Sequence, residues 1–252
     1  MAQTTLINSA SNIQFRLWKS LLTSKGIKEN KMFLLSGKKL VDEFLADPAP
    51  GFTPLFLVGE DESKMAVDLR KTVLSHDLFK EIDVLGTKSP LLVLSFSDFP
   101  EARLALKPDG LELICPLGDP RNLGALCRTA VGFGVRRIVL TKESAHPFLP
   151  QSVKASAGAV LRMDFAASSS ALAEIDVHEN DCALALHGDN IAQFRWPKNL
   201  RLWVGEEGPG LSLTLEQKRK LKFINIPTEN IESLNAMVST SIALWEWKKK
   251  NS

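Results

Sequence analysis

Three short motifs in the second half of the chain contain polar residues that a hydrophobic core does not need. The first motif is GDPRNLGALCRTA, which is predicted to begin a helix. One face of this helix carries Gly124, Arg128 and, just after the motif, Gly132, at positions i, i+4 and i+8. A guanidinium between two glycines has room to meet a bulky ligand, although a solvent-exposed arginine would give the same pattern. Asn122, near the start of this helix, could equally be a capping residue. Asn122 and Arg128 are therefore candidate ligand-binding residues.

The second motif, WVGEEGPGLS, places two carboxylates between glycines directly after a predicted strand. Gly205, Gly208 and Gly210 allow the backbone to turn sharply and to present its N–H and C=O groups to a ligand. A tight loop between a strand and a helix would explain the same glycines. The motif lacks the Lys-Ser/Thr pair of a phosphate-binding P-loop, and it lies too late in the chain for a dinucleotide-binding fingerprint.

The third motif, INIPTENIESLNAMVSTSIALWEW, begins as a strand that ends at Ile226 and Pro227 and continues as an amphipathic helix. Ser233 and Asn235 fall at the predicted start of that helix, where polar side chains commonly cap unpaired N–H groups. Capping would explain either residue. It does not explain the proline at the strand end or the polarity of the loop.

Short apolar strands alternate with helical segments along the chain, which predicts an α/β protein with a mainly parallel sheet. Each motif follows a strand, and ligands of such sheets bind beyond the carboxyl ends of the strands, so one shared site is expected. The earlier strands are MFLL, TPLFLVG and PLLVLSF, with helices at KKLVDEFLAD and ESKMAVDLRKTVL. The later strands are LELICP, RRIVLT, VLRMDF, CALALH, LRLWVG and FINIP.

Changes in composition predict four segments. Residues 1–30 are predicted to form a basic N-terminal arm with one amphipathic helix, NIQFRLWKSLL, and residues 31–98 a small α/β domain. Residues 99–110 contain prolines, a glycine and mixed charges without a clear period, which is typical of a linker. Residues 111–252 are predicted to form the larger α/β domain that carries all three motifs.

The overall composition is that of an ordinary globular protein. Of the 252 residues 44% are hydrophobic, and the formal net charge of +2 does not by itself indicate a polyanionic partner. Cys115, Cys127 and Cys182 are widely spaced and lack metal-ligand partners, so we expect free thiols and no metal. Because no apolar run approaches the roughly 20 residues of a membrane span and no signal peptide is evident, we expect a cytoplasmic protein without membrane contact.

Taken together and in this order, NLGALCRTA, VGEEGPGLS and IPTENIESLNAMVS resemble the three signature motifs of the SpoU family of RNA ribose 2′-O-methyltransferases, within the SPOUT superfamily. Residues 7–45 are also similar to the start of family members with an N-terminal substrate-binding domain of the ribosomal-protein L30e type. The resemblance implies a C-terminal α/β trefoil-knot domain, a rare exception to unknotted topology, preceded by a small L30e-like domain. It also implies a homodimer formed through the knot domain.

The resemblance further implies methyl transfer from S-adenosyl-L-methionine to a ribose 2′-hydroxyl in structured RNA, with 23S-type ribosomal RNA favoured by the N-terminal domain. The residues that match the family's catalytic cluster are Arg128, Asn122, Glu207, Ser233 and Asn235. The residues that match or adjoin its cofactor-binding positions are Leu186, His187, Gly188, Gly205, Glu207, Gly210, Ile226, Leu234 and Asn235.

Arg128 is interpreted as the residue that helps to remove the proton of the hydroxyl, which is a poor nucleophile near neutral pH. Arginine keeps its proton near neutral pH and is a poor base, so Arg128 is expected to act either directly or by holding the departing proton on a phosphate or water. Asn122 and Glu207 would orient the guanidinium and the motif loop. Ser233 and Asn235 would hold the hydroxyl or the cofactor carboxylate.

Contacts with RNA phosphates are predicted for basic residues of the N-terminal segments, each of which could instead be ordinary surface charge. These residues are Arg16, Lys19, Lys25, Lys28, Lys38 and Lys39. Two alternatives for the function stay open at this point. One is a tRNA 2′-O-methyltransferase of the same family, and the other is a non-catalytic RNA-binding or ribosome-assembly protein that retains the knot fold.

Overall fold

The computed structural model describes residues 4–65, 67–205 and 210–252. The strands are β1 (Thr4–Ile7), β2 (Met32–Leu35), β3 (Phe52–Gly59), β4 (Arg70–Leu74), β5 (Leu91–Phe96), β6 (Leu111–Cys115), β7 (Arg137–Leu140), β8 (Phe165–Ala167), β9 (Asp181–Asn190), β10 (Leu200–Trp203) and β11 (Lys222–Asn225). The helices are α1 (Ile13–Ser20), α2 (Ser24–Asn30), α3 (Lys38–Ala46), α4 (His76–Ile82), α5 (Pro120–Phe133), α6 (Pro150–Ala155), α7 (Leu215–Lys220) and α8 (Ala236–Asn251).

The chain divides into two compact units, each with its own sheet. The first unit runs to Asp98 and also includes His146–Leu161, and the second consists of Phe99–Ala145 and Arg162–Ser252. The sheet of the first unit is mixed, with the order β1-β4-β3-β5-β2. In it β4 pairs in parallel with β1 and β3, whereas β5 pairs antiparallel with β2 and β3. The α/β class predicted from the sequence is confirmed for this part of the chain.

The segment before β2 is packed into the first unit. Strand β1 adds an edge to the sheet, and Phe15 and Trp18 of α1 are buried. The Trp18 ring meets the Phe56 ring of β3 edge-on at 5.8 Å between centroids. The burial of these aromatic side chains, each of which contributes a large apolar area, holds α1 against the sheet.

The helix predicted for ESKMAVDLRKTVL is wrong. Among the described residues of this segment, Glu62–Lys64 forms a single 3₁₀ turn and Arg70–Leu74 is a strand inserted between β1 and β3. Thr72 and Val73 are β-branched residues that favour a pleated surface, and both edges of β4 find hydrogen-bonding partners. Pairing between distant strands therefore overrides the local helical pattern.

A segment from the middle of the chain completes the core of the first unit. Phe148 stacks on Phe33 of β2 at 4.5 Å between ring centroids and meets Phe96 edge-on at 4.8 Å. Helix α6, which follows Phe148, packs against β2. Beside this cluster the backbone N–H of Phe148 donates to Nδ1 of the buried His146 at 3.2 Å. Burial, with smaller contributions from Lys28 and Lys31, lowers the pKa of His146 to about 3.

We expect His146 to make the protein less stable as the pH falls. In the unfolded chain histidine takes up a proton near pH 6.5, but folded His146 resists protonation down to about pH 3. Its contribution to the free energy of unfolding is therefore complete above about pH 6.5 and is lost progressively as the pH falls from about 6.5 toward 3. Urea unfolding between pH 8 and pH 5 should show up to about 1.4 kcal/mol lost per pH unit, and His146→Gln should flatten this slope. His76→Gln, which removes an exposed histidine of the same unit, is the control for the substitution itself. An unchanged slope in His146→Gln would contradict the assignment.

The sheet of the second unit is parallel throughout, with the order β11-β9-β10-β6-β7-β8. This confirms the parallel sheet predicted from the alternation of strands and helices. One predicted strand is misplaced: VLRMDF begins as a 3₁₀ turn, Ala159–Arg162, and the strand is Phe165–Ala167. The polar Arg162 and Asp164 separate the apolar residues there, and pairing with β7 selects the later segment.

A buried arginine fixes the segment that precedes β6. Arg201 of β10 forms an ion pair with Glu112 of β6 at 2.9 Å, and both side chains are almost fully buried. Its Nη1 and Nη2 donate to the carbonyl oxygens of Leu104 and Leu106 at 2.6 and 2.5 Å. A buried charge is tolerated only when it is paired and hydrogen-bonded, and these contacts meet that condition. They hold the segment predicted as a linker against the sheet.

Cys115, Cys127 and Cys182 are buried and form no disulfide bond with one another. Burial raises the pKa of the Cys127 and Cys182 thiols, which therefore stay protonated near neutral pH. In the part of the chain that the structure describes, no helix has the length and apolarity needed to cross a membrane. Within residues 4–65, 67–205 and 210–252, no group of three or more His, Cys, Asp or Glu residues is arranged to hold a metal ion.

Candidate active site

A cavity of about 870 Å³ opens in the second unit beside the carboxyl ends of β9, β10 and β11. This is the edge of a parallel sheet where ligands are expected. Eight of the residues predicted as catalytic or cofactor-binding line it, which joins the second and third motifs in one site. These residues are Leu186, His187, Gly205, Gly210, Ile226, Ser233, Leu234 and Asn235. Glu207 lies outside the described residues.

One wall of the cavity is a bulge in β9. Cys182 and Ala183 pair with Lys222 and Phe223 of β11, but the next residue of β11, Ile224, pairs with Asp189. Residues 184–188 therefore have no partner on β11, and four of them, 184–187, line the cavity. Bulges of this kind redirect the chain near functional sites.

Gly188, which closes the bulge, is not among the residues that line the cavity, and its position explains why it is a glycine. Its φ angle is +137°, a backbone conformation that residues with a side chain rarely adopt. A Cβ atom added to it would lie 2.3 Å from the carbonyl oxygen of Phe223. Only a residue without a side chain at position 188 therefore allows the bulge to approach the backbone of β11 this closely.

The third motif turns into the cavity just before α8. Asn235 caps this helix, because its Oδ1 accepts from the backbone N–H groups of Met237 and Val238 at 2.9 and 3.3 Å. The helix begins at Ala236, later than the predicted start near residue 233, so Ser233 is an exposed loop residue and not a cap. Ser233 is thus placed on the cavity wall without a role in capping the helix.

The first motif forms the start of α5 and does not reach the same cavity. Asp119 caps the helix by accepting from the N–H of Arg121 at 2.7 Å, and Pro120 occupies the first turn. Hydrogen bonds from the Arg121 side chain and backbone lower the pKa of Asp119 to about 2. Capping therefore does not explain Asn122, which is half-buried inside the helix, and Arg128 is exposed. Neither residue lines the 870 Å³ cavity.

An apolar groove of about 460 Å³ lies between α5 and α8, which pack against each other. Trp245 is 53% exposed and Val238 49% exposed at this groove, and the Trp245 ring lies 6.0 Å from the Phe133 ring. Trp247, by contrast, is buried, and its Nε1 donates to the carbonyl oxygen of Pro197 at 3.0 Å. The groove is lined by Ala125, Leu126, Thr129, Met237, Val238, Ser241, Ile242 and Trp245.

Four of the six basic residues predicted to contact RNA face carboxylates in the first unit. Their ion pairs are Lys19–Glu81 at 2.5 Å, Lys25–Glu29 at 3.8 Å, Lys38–Asp42 at 2.5 Å and Lys39–Glu43 at 3.7 Å. Arg16 and Lys28 are exposed and have no ion pair with any residue that the structure describes. Because surface ion pairs are weak, all six cations can still meet a phosphate, but only the last two do so without a competing carboxylate.

The sequence analysis missed several polar residues that line the cavity. Among them are Lys218 of α7, Asn225 at the end of β11, Thr228 in the following loop and Thr240 of α8. Asn225, Thr228 and Thr240 lie inside the third motif, so treating every polar residue of that motif as a candidate would have found them. Lys218 has no such signal, because only the fold brings α7 to the cavity.

The model of the SpoU rRNA Methylase family matches residues 113–245, which are more than half of the chain and include NLGALCRTA, VGEEGPGLS and IPTENIESLNAMVS. The chain belongs to this family. The match begins inside β6 and ends inside α8, and it contains all the described residues that line the cavity and the groove. It therefore includes the whole candidate site of the second unit.

Two curated relatives match almost the whole chain. The 23S rRNA (guanosine(2553)-2′-O)-methyltransferase RlmP of Bacillus subtilis is 30% identical over 248 residues, which are 95% of this chain and 97% of the relative. The ribosomal RNA small subunit methyltransferase G 2 of Syntrophobacter fumaroxidans is 32% identical over 98% of this chain, but the chain spans only 49% of that protein. The second relative is therefore about twice as long as this chain, and its name refers to that longer protein.

A solved structure has the same fold over nearly its whole length. The SpoU methyltransferase AviRb of Streptomyces viridochromogenes, in complex with the cofactor AdoMet, aligns with a TM-score of 0.77 and covers 95% of this chain and 98% of its own. The sequence identity is 19%, so this likeness concerns the fold alone. The aligned region includes both the mixed sheet of the first unit and the parallel sheet of the second.

Proposed function

We propose that the protein is an RNA methyltransferase that transfers a methyl group from S-adenosylmethionine to a ribose 2′-hydroxyl of ribosomal RNA. Its membership in the SpoU rRNA methylase family carries this proposal. The relative RlmP, which matches over 95% of the chain, is named for 2′-O-methylation of 23S rRNA and favours the large ribosomal RNA over tRNA. A binding protein without catalysis is disfavoured because Asn122, Arg128, Ser233 and Asn235 are all retained.

The cavity of the second unit fits S-adenosylmethionine. Leu186, Ile226 and Leu234 offer apolar walls for an adenine ring, and Asn235, Thr240 and the backbone around Gly205 offer polar contacts for a ribose and an amino acid. Its volume of about 870 Å³ lies within the usual range of small-molecule sites. The bound cofactor would supply an electrophilic methyl group on its sulfonium. The protein's own task is then to position the ribose hydroxyl in line with it and to assist the loss of the proton.

Arg128 is the residue that we assign to the hydroxyl proton, either directly or by holding a phosphate or a water that accepts it. Asn122, six residues earlier on α5, orients the guanidinium, together with Glu207 of the second motif. Ser233 and Asn235 hold the hydroxyl or the cofactor carboxylate at the cavity wall. Asn235 also fixes the start of α8, so its replacement affects both the helix and the site.

The experiment that tests this function is the transfer of a labelled methyl group from S-adenosylmethionine to RNA that lacks the modification. Large ribosomal RNA, small ribosomal RNA and tRNA are supplied separately, and the products are digested to nucleosides. Label in a 2′-O-methylribose of the large ribosomal RNA is the expected result. Label in tRNA would support the tRNA branch of the family. Cofactor binding without label in any RNA would contradict catalysis on free RNA.

We propose that the first unit binds RNA as a domain of the L30e type and that Arg16 and Lys28 are its strongest phosphate contacts. Replacing both by glutamine should weaken RNA binding and reduce the slope of log K against log salt by up to about 2, because each phosphate contact releases counterions. Filter binding at several salt concentrations measures both quantities. The matched control is Lys38→Gln with Lys39→Gln, which removes two cations that already face carboxylates and should have a smaller effect. An equal effect of the two double variants would contradict the choice of Arg16 and Lys28.

We also propose that the protein is a homodimer formed through the groove between α5 and α8, in the domain predicted to be knotted. Contiguous exposed apolar surface marks interaction sites, and aromatic residues are enriched at such interfaces. Because α5 carries Arg128 as well as part of the groove, a dimer formed there places Arg128 of each copy close to the other copy. The proposed interface and the proposed catalytic arginine are therefore coupled.

Replacing Trp245 by glutamate should convert the dimer to a monomer and lower methylation, while S-adenosylmethionine still binds. The cause is the charge introduced at the centre of an apolar contact, since an unpaired buried charge is costly. Light scattering measures the oligomeric state, and calorimetry measures cofactor binding. Ile13→Glu, at an apolar residue of the first unit that is 86% exposed, is the control and should leave the dimer intact. A Trp245→Glu protein that stays dimeric would exclude this groove as the interface.

A further inference from the structure

The bulge in β9 needs something to hold it, because its residues have lost their partner strand. Residues 184–188 pair with no residue of β11, although 184–187 form part of the cavity wall. Because Leu186, His187 and Gly188 are exposed, water can satisfy their carbonyls and amides in many conformations, so contacts from the protein are needed to select one of them. The side chain that does this for two of the carbonyls is Asn225 of β11.

Asn225 contacts the bulge through its side chain and β9 through its backbone. Its Nδ2 donates to the carbonyl oxygen of Leu186 at 2.7 Å and, in a longer contact, to that of Ala185 at 3.4 Å. Its own carbonyl oxygen accepts from the N–H of Ile191 at 2.9 Å, directly after β9. The residue therefore joins the end of β11 to both sides of the bulge.

These contacts determine what the bulge presents to the cavity. With the carbonyls of Ala185 and Leu186 turned toward the Asn225 amide, the chain between them and Gly188 has a fixed direction. Leu186 and His187 then lie on the cavity wall, and Asn225 itself lines the cavity beside them. Gly188 supports the same shape from the other end through its close approach to Phe223.

We propose that Asn225 is a positioning residue for the cofactor site and that it acts by holding the bulge of residues 184–188 in its binding conformation. This inference rests on the proposed function, because it assigns the ligand of the cavity as S-adenosylmethionine. Asn225 was not among the residues predicted from the sequence. Its effect is exerted on Leu186 and His187, which form the cavity wall that the cofactor would meet.

The chemistry of the amide explains why asparagine suits this position. Its NH₂ group supplies two donors, which match the two carbonyl oxygens of the bulge. Serine would supply one donor, alanine none, and an ionised aspartate would turn acceptor oxygens toward two further acceptors. We therefore expect S-adenosylmethionine affinity to fall in the order asparagine, serine, alanine, aspartate at neutral pH.

The test is calorimetric titration of wild type and of the Asn225→Ser, Asn225→Ala and Asn225→Asp variants with S-adenosylmethionine. Asn225→Ala should bind about tenfold more weakly, which corresponds to the loss of one net hydrogen bond. In steady-state assays its KM for S-adenosylmethionine should rise by a similar factor, while its KM for RNA stays unchanged. Asn199→Ala is the matched control, because Asn199 also bonds a backbone group of this unit, the N–H of Gly110 at 3.0 Å, away from the cavity.

A pH series tests whether a donor toward the bulge carbonyls is what the site requires. Protonation gives the carboxyl of Asn225→Asp one O–H donor, so its affinity relative to wild type should recover as the pH is lowered from 7.5 toward 5. Asn225→Ala, which has no titratable group at this position, should show no such recovery. Equal affinities of wild type and Asn225→Ala, or equal losses in Asn225→Ala and Asn199→Ala, would overturn the inference. A wild-type protein that binds no S-adenosylmethionine would instead contradict the proposed function and remove the basis of this inference with it.

Discussion

Replacing Arg128 by alanine is expected to lower the single-turnover rate of methylation by at least about a hundredfold, while the affinity for S-adenosylmethionine stays at the wild-type value. The size follows from the usual contribution of a group that assists proton transfer, about 10² to 10⁴ in rate. Cofactor affinity is expected to persist because Arg128 is exposed on α5 and does not line the cavity of the second unit. Rapid-quench measurement of methyl transfer and calorimetry of cofactor binding give the two values.

Two further variants make the result specific to Arg128. Arg121→Ala removes another exposed arginine of the same helix, whose guanidinium is bound to Asp119, and it should leave the rate nearly unchanged. Arg128→Lys keeps the positive charge but loses the planar, two-pronged guanidinium. A partial rate in the lysine variant would indicate that charge near the hydroxyl contributes, whereas a rate as low as that of alanine would indicate that geometry decides. A near wild-type rate of Arg128→Ala would remove Arg128 from the mechanism.

The sequence alone predicts that the second and third motifs share one site, because this follows from a general property of parallel sheets. Gly205 follows β10, and Ile226 follows β11, so both had to emerge at one edge once the strands were recognised. The buried strands were found because their apolar runs are short and bounded by polar or turn residues. The family resemblance added roles for individual residues that no periodicity could supply.

The features that the sequence did not reveal depend on contacts between distant residues. Nothing local in CALALHGDN indicates that residues 184–188 are unpaired with β11, because the sequence resembles a regular strand that ends early. Phe148 lies far from Phe33 in the chain, so its place in the core of the first unit had no sequence signal. Strand β4 is predicted as a helix for the same reason, since only the fold shows that it lies between β1 and β3. Such features require the fold before they can be predicted.

Gly188→Ala should be the most damaging single change at the cofactor wall. The added Cβ would lie 2.3 Å from the carbonyl oxygen and 2.5 Å from the carbonyl carbon of Phe223, and these are backbone atoms of a paired strand that cannot rotate away. The φ angle of +137° adds strain, because side-chain-bearing residues rarely adopt it. We expect a loss of about 3 kcal/mol in the free energy of unfolding and at least a tenfold weaker affinity for S-adenosylmethionine.

Gly134→Ala separates the effect of the close contact from the effect of a positive φ angle. Gly134 ends α5 with a φ of +74°, but a Cβ there would meet no atom within 4 Å, so only the strain of the left-handed conformation, about 1 kcal/mol, is expected. Its cofactor affinity should equal that of wild type. Urea unfolding and calorimetry at a temperature where both variants are folded provide the comparison. If Gly188→Ala lost no more stability than Gly134→Ala and bound the cofactor normally, the bulge of β9 would be free to move away from β11. The conformation of residues 184–188 would then not determine cofactor affinity, and the positioning role of Asn225 would fail together with that of Gly188.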